Sequence, residues 1–178
     1  MLLLNQHRED SFMILNKKTT EAEKLLKINN DIYRIMTLFN KDKALRKLIL
    51  NTGKNPLQMP DIPEEQDLRD KQIARTPLLP YNEEDSSFVA ITFISGEAEG
   101  DTDSMQATLA IDVFTPGNQW IINEGVRPLN IAHAIDNLMQ FELKQTDGVR
   151  YRLTGMVNAQ LSDILIGYRM IYESIIND

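Results

Sequence analysis

Four stretches of alternating apolar residues surround one segment with helical spacing, and this order limits the fold more than any other feature of the chain. The segments are Ser87–Ser95, Met105–Phe114, Val126–Phe141, Val149–Asn158 and Leu165–Ile176. A period of two places successive side chains on opposite faces of a strand, whereas steps of three and four put them on one face of a helix. The order is therefore strand, strand, helix, strand, strand. Strands joined by short loops pair antiparallel. We expect an α+β fold: N-terminal helices, then a mainly antiparallel β-β-α-β-β sheet with one helix packed across it.

Each segment adds detail. In the first strand, Val89, Ile91 and Phe93 alternate with Phe88, Ala90, Thr92 and Ile94, so neither face is strongly polar, as in a central strand or one covered on both sides. In the second, Met105, Ala107, Leu109, Ile111 and Val113 alternate with Gln106, Thr108, Ala110 and Asp112, the pattern of a half-buried strand. Between them Gly96–Asp103 forms an acidic hairpin loop carrying Glu97, Glu99, Asp101 and Asp103. Thr115-Pro116-Gly117-Asn118 supplies turn chemistry. Trp120-Ile121-Ile122 is either a short edge strand or a packed loop. Pro128 suits the first turn of a helix whose buried stripe is Ile131, Ala132, Ile135, Leu138 and Met139. After a turn at Thr146-Asp147-Gly148, Tyr151, Leu153 and Val157 alternate with Arg150, Arg152 and Thr154. In the last strand Ile166, Tyr168, Met170, Tyr172 and Ile176 oppose Gly167, Arg169, Ile171 and Glu173, and the mixed second face suits a subunit contact.

The chain of 178 residues fits one domain with extensions. Residues 1–19 form an N-terminal extension and 20–53 a helical segment. Thr19 or Thr20 caps a helix whose stripe is Leu25, Ile28, Ile32, Ile35, Met36 and Phe39. Asn29-Asn30-Asp31 is expected to break it. A second helix covers Asp42–Leu50, with Leu45, Leu48 and Ile49 inward and Gly53 as terminator. Residues 54–86 hold Pro56, Pro60, Pro63, Pro77 and Pro80, which makes them an extended connection with a helical turn near Glu64–Asp70. That connection either crosses its own domain or lies as an arm on a neighbouring subunit. Residues 87–178 form the α+β core.

Net charge is −7, which disfavours a phosphate-binding surface. The cluster of Lys41, Lys43, Arg46 and Lys47 is expected to be the solvated face of a helix. With no cysteine there is no disulfide, thiolate ligand or cysteine nucleophile, as suits a reducing cytoplasm. Neither a signal-peptide core nor a run of membrane-spanning length occurs in the sequence.

Chemical sites are scarce. The two histidines, His7 and His133, are far apart, and His133 falls on the core helix beside Asp136 as a surface or interface residue. No metal-binding H-x-x-x-H, nucleophile elbow, P-loop or dinucleotide fingerprint occurs. The acidic hairpin fails the calcium-loop pattern because Asp103 is followed by Ser104-Met105. Glu142-Leu143-Lys144 matches a nuclease triplet, with Asp112 as the distant carboxylate, but Glu142 falls at a helix end instead of on a strand. No catalytic residue, metal or cofactor is expected, and the chain is not expected to be an enzyme.

Phe88–Phe93, Ala107–Pro116, the helix from Arg127 through Met139, and Gly167–Glu173 together resemble the tail terminator and tail-completion proteins of tailed bacteriophages. The similarity covers residues 86–176. It implies a homo-oligomeric, hexameric ring that ends the tail tube, joins it to the head connector and lets DNA pass without specific binding. On that resemblance the protein sits in the virion tail or neck, is assembled in the host cytoplasm, and contacts tail-tube and connector proteins but no membrane. Glu97, Glu99, Asp101 and Asp103 then face the lumen, where acidic groups repel passing phosphates. Pro77, Leu78, Pro80, Trp120, Tyr168 and Tyr172 are the expected subunit interface. Trp120 either anchors that interface or packs beneath its own loop. Two other roles suit the same features: a different connector, neck or tail subunit, and a cytoplasmic peptide-binding adaptor.

Overall fold

The alternating segments build one five-stranded sheet in a computed structural model that describes residues 23, 25–76, 86–98, 105–142 and 150–176. Helix α1 occupies 25–41 and helix α2 Lys43–Leu50. The strands are β1 (Ile73–Ala74), β2 (Phe88–Ala98), β3 (Met105–Pro116), β6 (Arg150–Gln160) and β7 (Leu165–Ile176), in the spatial order β1-β2-β3-β7-β6. A separate two-stranded ribbon joins β4 (Ile121–Ile122) to β5 (Gly125–Val126), and α3 (Arg127–Asn137) follows at once. Gly125 takes φ 112°, a left-handed conformation that glycine adopts without a Cβ penalty. Among the strand pairs of the described residues, β1–β2 is parallel and the others are antiparallel. The fold is α+β.

The helices pack on one face of the sheet. Ile28, Ile32, Ile35, Met36 and Phe39 of α1, Leu45, Leu48 and Ile49 of α2, and Ile131, Ala132 and Ile135 of α3 share one core with Val89, Ile91, Leu109, Ile111, Val113, Met170 and Tyr172. A smaller cluster on the other face joins Ala74, Phe88, Ala90, Phe114 and Leu165. The first half of β2 is thus covered on both sides, while Ile94 is exposed. Gly167 is fixed by packing: a Cβ there would lie 1.8 Å from the Val113 carbonyl oxygen of the neighbouring strand.

Several expectations change. Helix α1 runs unbroken through Asn29-Asn30-Asp31, because Asp31 is buried and accepts a bond from Arg34 one turn on, at 3.0 Å. Leu25 is exposed and lies off the stripe. Helix α2 ends at Asn51 in extended backbone, so Gly53 is not a left-handed terminator. Asp42 caps that helix by accepting the Leu45 amide at 2.7 Å. In β3 the second face is buried too, with Ala110 and Asp112 inside. In β6 a bulge between Leu153 and Gly155 inverts the alternation, which leaves Val157 exposed and opposite Arg169. Strand β2 extends into the expected hairpin loop as far as Ala98, with Glu97 in register with Gln106.

Two buried arginines tie the connection to the helices. Arg46, expected on a solvated face, is buried and donates to the carbonyls of Asn40 (2.8 Å), Pro63 (2.6 Å) and Gln66 (2.9 Å). Lys43 and Lys47 hold Asp61 at 2.8 Å each. Arg127 donates to the carbonyls of Gln119 (2.9 Å), Leu48 (3.0 Å), Gly53 (2.6 Å) and Asn51. A cation at the C-terminal end of α2 meets its unpaired carbonyls and complements the helix dipole. Over 54–76 the connection therefore crosses its own domain, with its own Leu68 and Ile73 buried in the core. In place of a helical turn, Glu64 and Glu65 form a simple turn.

Candidate interaction surface

Trp120 follows a 3-10 turn at Gly117–Gln119 and is half-buried, its ring 6.1 Å from that of Tyr168 at an interplanar angle of 52°. The turn is held because Gly117 donates to the Ile164 carbonyl and Arg127 donates its backbone amide to that of Trp120. Beside Trp120, Ile121 is 65% exposed on its ribbon. Tyr168 pairs with Asn158 of β6, and Met170 with Met156, whose side chain is 46% exposed. Trp120 and Tyr168 pack together near the sheet edge, and Ile121 on the ribbon and Met156 on β6 are exposed apolar side chains. Trp120 packs on its own domain and stays partly accessible.

That edge is β6. Its only neighbour is β7 among the described residues, so one side of an 11-residue strand carries unpaired backbone donors and acceptors. The opposite edge is only partly covered. Strand β1 pairs with Val89 and Ala90 alone, leaving the outer half of β2 open among the described residues.

Tyr172 is corrected. It is 0% exposed beneath α3 and donates to Asp136 at 3.0 Å, so it is a core residue and not part of a subunit surface. Burial, and then the Asp136 carboxylate, push its phenol pKa up. Pro77, Leu78 and Pro80 lie outside the described residues, as do Glu99, Asp101 and Asp103, the cap at Thr19 or Thr20 and the turn at Thr146–Gly148. His133 is exposed, 3.1 Å from Asn137. Asp112, weighed as a distant nuclease carboxylate, is buried and engaged by Arg169 at 2.7 and 2.8 Å. Among the described residues no group of three or more His, Asp or Glu is placed to hold a metal ion, and no helix is long and apolar enough to cross a membrane.

The YomW family model matches residues 42–174. The chain belongs to the YomW family. No curated protein matches it. The YomW region opens at Asp42, the cap of α2, and closes within β7, so it takes in Trp120, the ribbon and both sheet edges, while α1 lies before it.

Proposed function

We propose that this protein is a structural subunit of a tailed-phage particle, forming a ring that ends the tail tube and joins it to the head connector. The observation that carries the reading is the open β6 edge, with the partly accessible Trp120–Tyr168 pair near it and exposed apolar side chains at Ile121 and Met156. Strand edges and aromatic anchors are the material of lasting protein contacts. Membership of the YomW family supports a phage-associated role, and the order β-β-α-β-β agrees with the resemblance to tail terminators. In this reading the protein catalyses nothing and binds no cofactor. It is assembled in the host cytoplasm and retained in the virion. Six copies form the ring, and Glu99, Asp101 and Asp103 line its passage and repel DNA phosphates.

Removal of the protein from a producing phage tests the assignment. Electron microscopy should show heads and tails that fail to join, with joining restored when the protein is supplied in trans. Normal particles without it would refute the assignment.

A further inference from the structure

The two open edges of the sheet are complementary. Several rows of paired residues can be followed across it from one edge to the other. Glu97 of β2 pairs with Gln106, Gln106 with Ile175, and Ile175 with Arg150 of β6. In the next row Ser95 pairs with Thr108, Thr108 with Glu173, and Glu173 with Arg152. One row therefore starts at an acidic residue and ends at a basic one, and Arg150 and Arg152 are both exposed.

Strand direction agrees with this. Three successive antiparallel pairings separate β2 from β6, so the two edge strands run in opposite directions. A second copy set beside the first in the same orientation meets it edge to edge as an antiparallel pair. Each edge also carries a bulge next to the row Phe93–Leu109–Tyr172–Leu153: β2 between Phe93 and Ser95, β6 between Leu153 and Gly155. Bulges discourage pairing with a flat strand and so narrow the choice of partner.

We propose that the sheet continues from one copy to the next, with the β6 edge of one copy paired antiparallel to the outer half of β2 of its neighbour, Arg150 facing Glu97 and Arg152 facing Ser95. This deepens the ring reading and rests on it for the closed form. The contact joins unlike surfaces, and such contacts close into rings or grow into filaments. Opposite charges directly across a strand pair fix the register. Glu97 thereby belongs to the contact and not to the lumen.

The natural chain has no cysteine, so engineered thiols have no background. The test is mild oxidation of the full chain carrying Arg152→Cys, Ser95→Cys, or both. The expected result is a ladder of cross-linked multimers for the double variant alone, ending at the ring size. Dimers from Arg152→Cys alone, which mark a two-fold β6–β6 contact, would overturn the proposal. So would the lack of a ladder in a chain that is multimeric by mass, which leaves the ring reading standing. A ladder from a protein missing from phage particles would sink the phage reading and leave this contact intact. As a second measurement, Arg150→Glu with Arg152→Glu should weaken self-association tenfold or more at low salt, and adding Glu97→Arg should recover part of it. Unchanged association in the charge-reversed chain would count against the register.

Discussion

Asp112 is 0% exposed at its side chain, while its partner Arg169 is 43% exposed, and this asymmetry decides what each contributes. The Asp112 carboxylate, in turn, holds the Arg169 guanidinium more firmly protonated. Without Asp112, Arg169 can still turn into water; without Arg169, a carboxylate stays buried and uncompensated. Asp112→Ala should therefore cost about 1–2 kcal/mol, and Arg169→Ala about 3–5 kcal/mol, in urea unfolding at pH 7. Equal costs would contradict the account. Asp31 behaves differently. Burial raises its pKa more than Arg34 lowers it, so the folded chain holds that proton more tightly than the unfolded one. Its contribution to stability is full below the ordinary value of 3.8 and is lost as pH rises through the raised folded value. Asp61, held by Lys43 and Lys47, has the opposite sign: lowered to about 2, it contributes above 3.8 and loses that contribution as pH falls through about 2. Relative to the natural chain, Asp31→Asn should gain stability as pH rises from acid through that first window. Melts across pH 3–7 that stay parallel for the two chains would refute this.

At the scale of elements, β7 occupies Leu165–Ile176, the bounds its alternation predicts, because each of its faces meets a different environment. Strand β6 departs from its pattern halfway along. The extra residue Thr154 shifts the phase, and no period of two can reveal a bulge in advance. The break expected in α1 did not occur, since burial of Asp31 against the domain outweighs the weak helix propensity of an Asn-Asn-Asp run. Trp120 and Tyr168, the one in a loop and the other in the last strand, are each partly buried and pack against one another. Tyr172 was misassigned because alternation gives the face of a strand and not what covers that face. The open edges were illegible in the sequence for a similar reason: strand order is settled by packing across the whole sheet. At Gly167 a side chain would meet the backbone of β3. Gly167→Ala pushes a methyl group against a backbone carbonyl that cannot swing aside. It should destabilise the domain by about 2–4 kcal/mol, read from the denaturation midpoint, whereas Gly155→Ala, which meets nothing nearer than the Ile171 Cδ1 at 4.0 Å, should change stability far less. A mild effect at Gly167 would mean that the strands are spaced differently there.

For the whole molecule, the helical layer and the core beneath it serve to hold one sheet rigid with two unlike edges. Arg46 and Arg127 clamp the connection and α2 onto that layer, so the edges keep a fixed relation to the Trp120 surface. A sheet whose edges match one another is a repeating unit, and repetition of unlike contacts is what closes a ring. The most direct test is the mass of the purified full chain in solution, by mass photometry or native mass spectrometry over a range of concentrations. The account requires one discrete multiple of the chain mass, six on the tail-terminator reading, that breaks down when Arg150 and Arg152 are both changed to glutamate. A chain that stays monomeric at every concentration would contradict it.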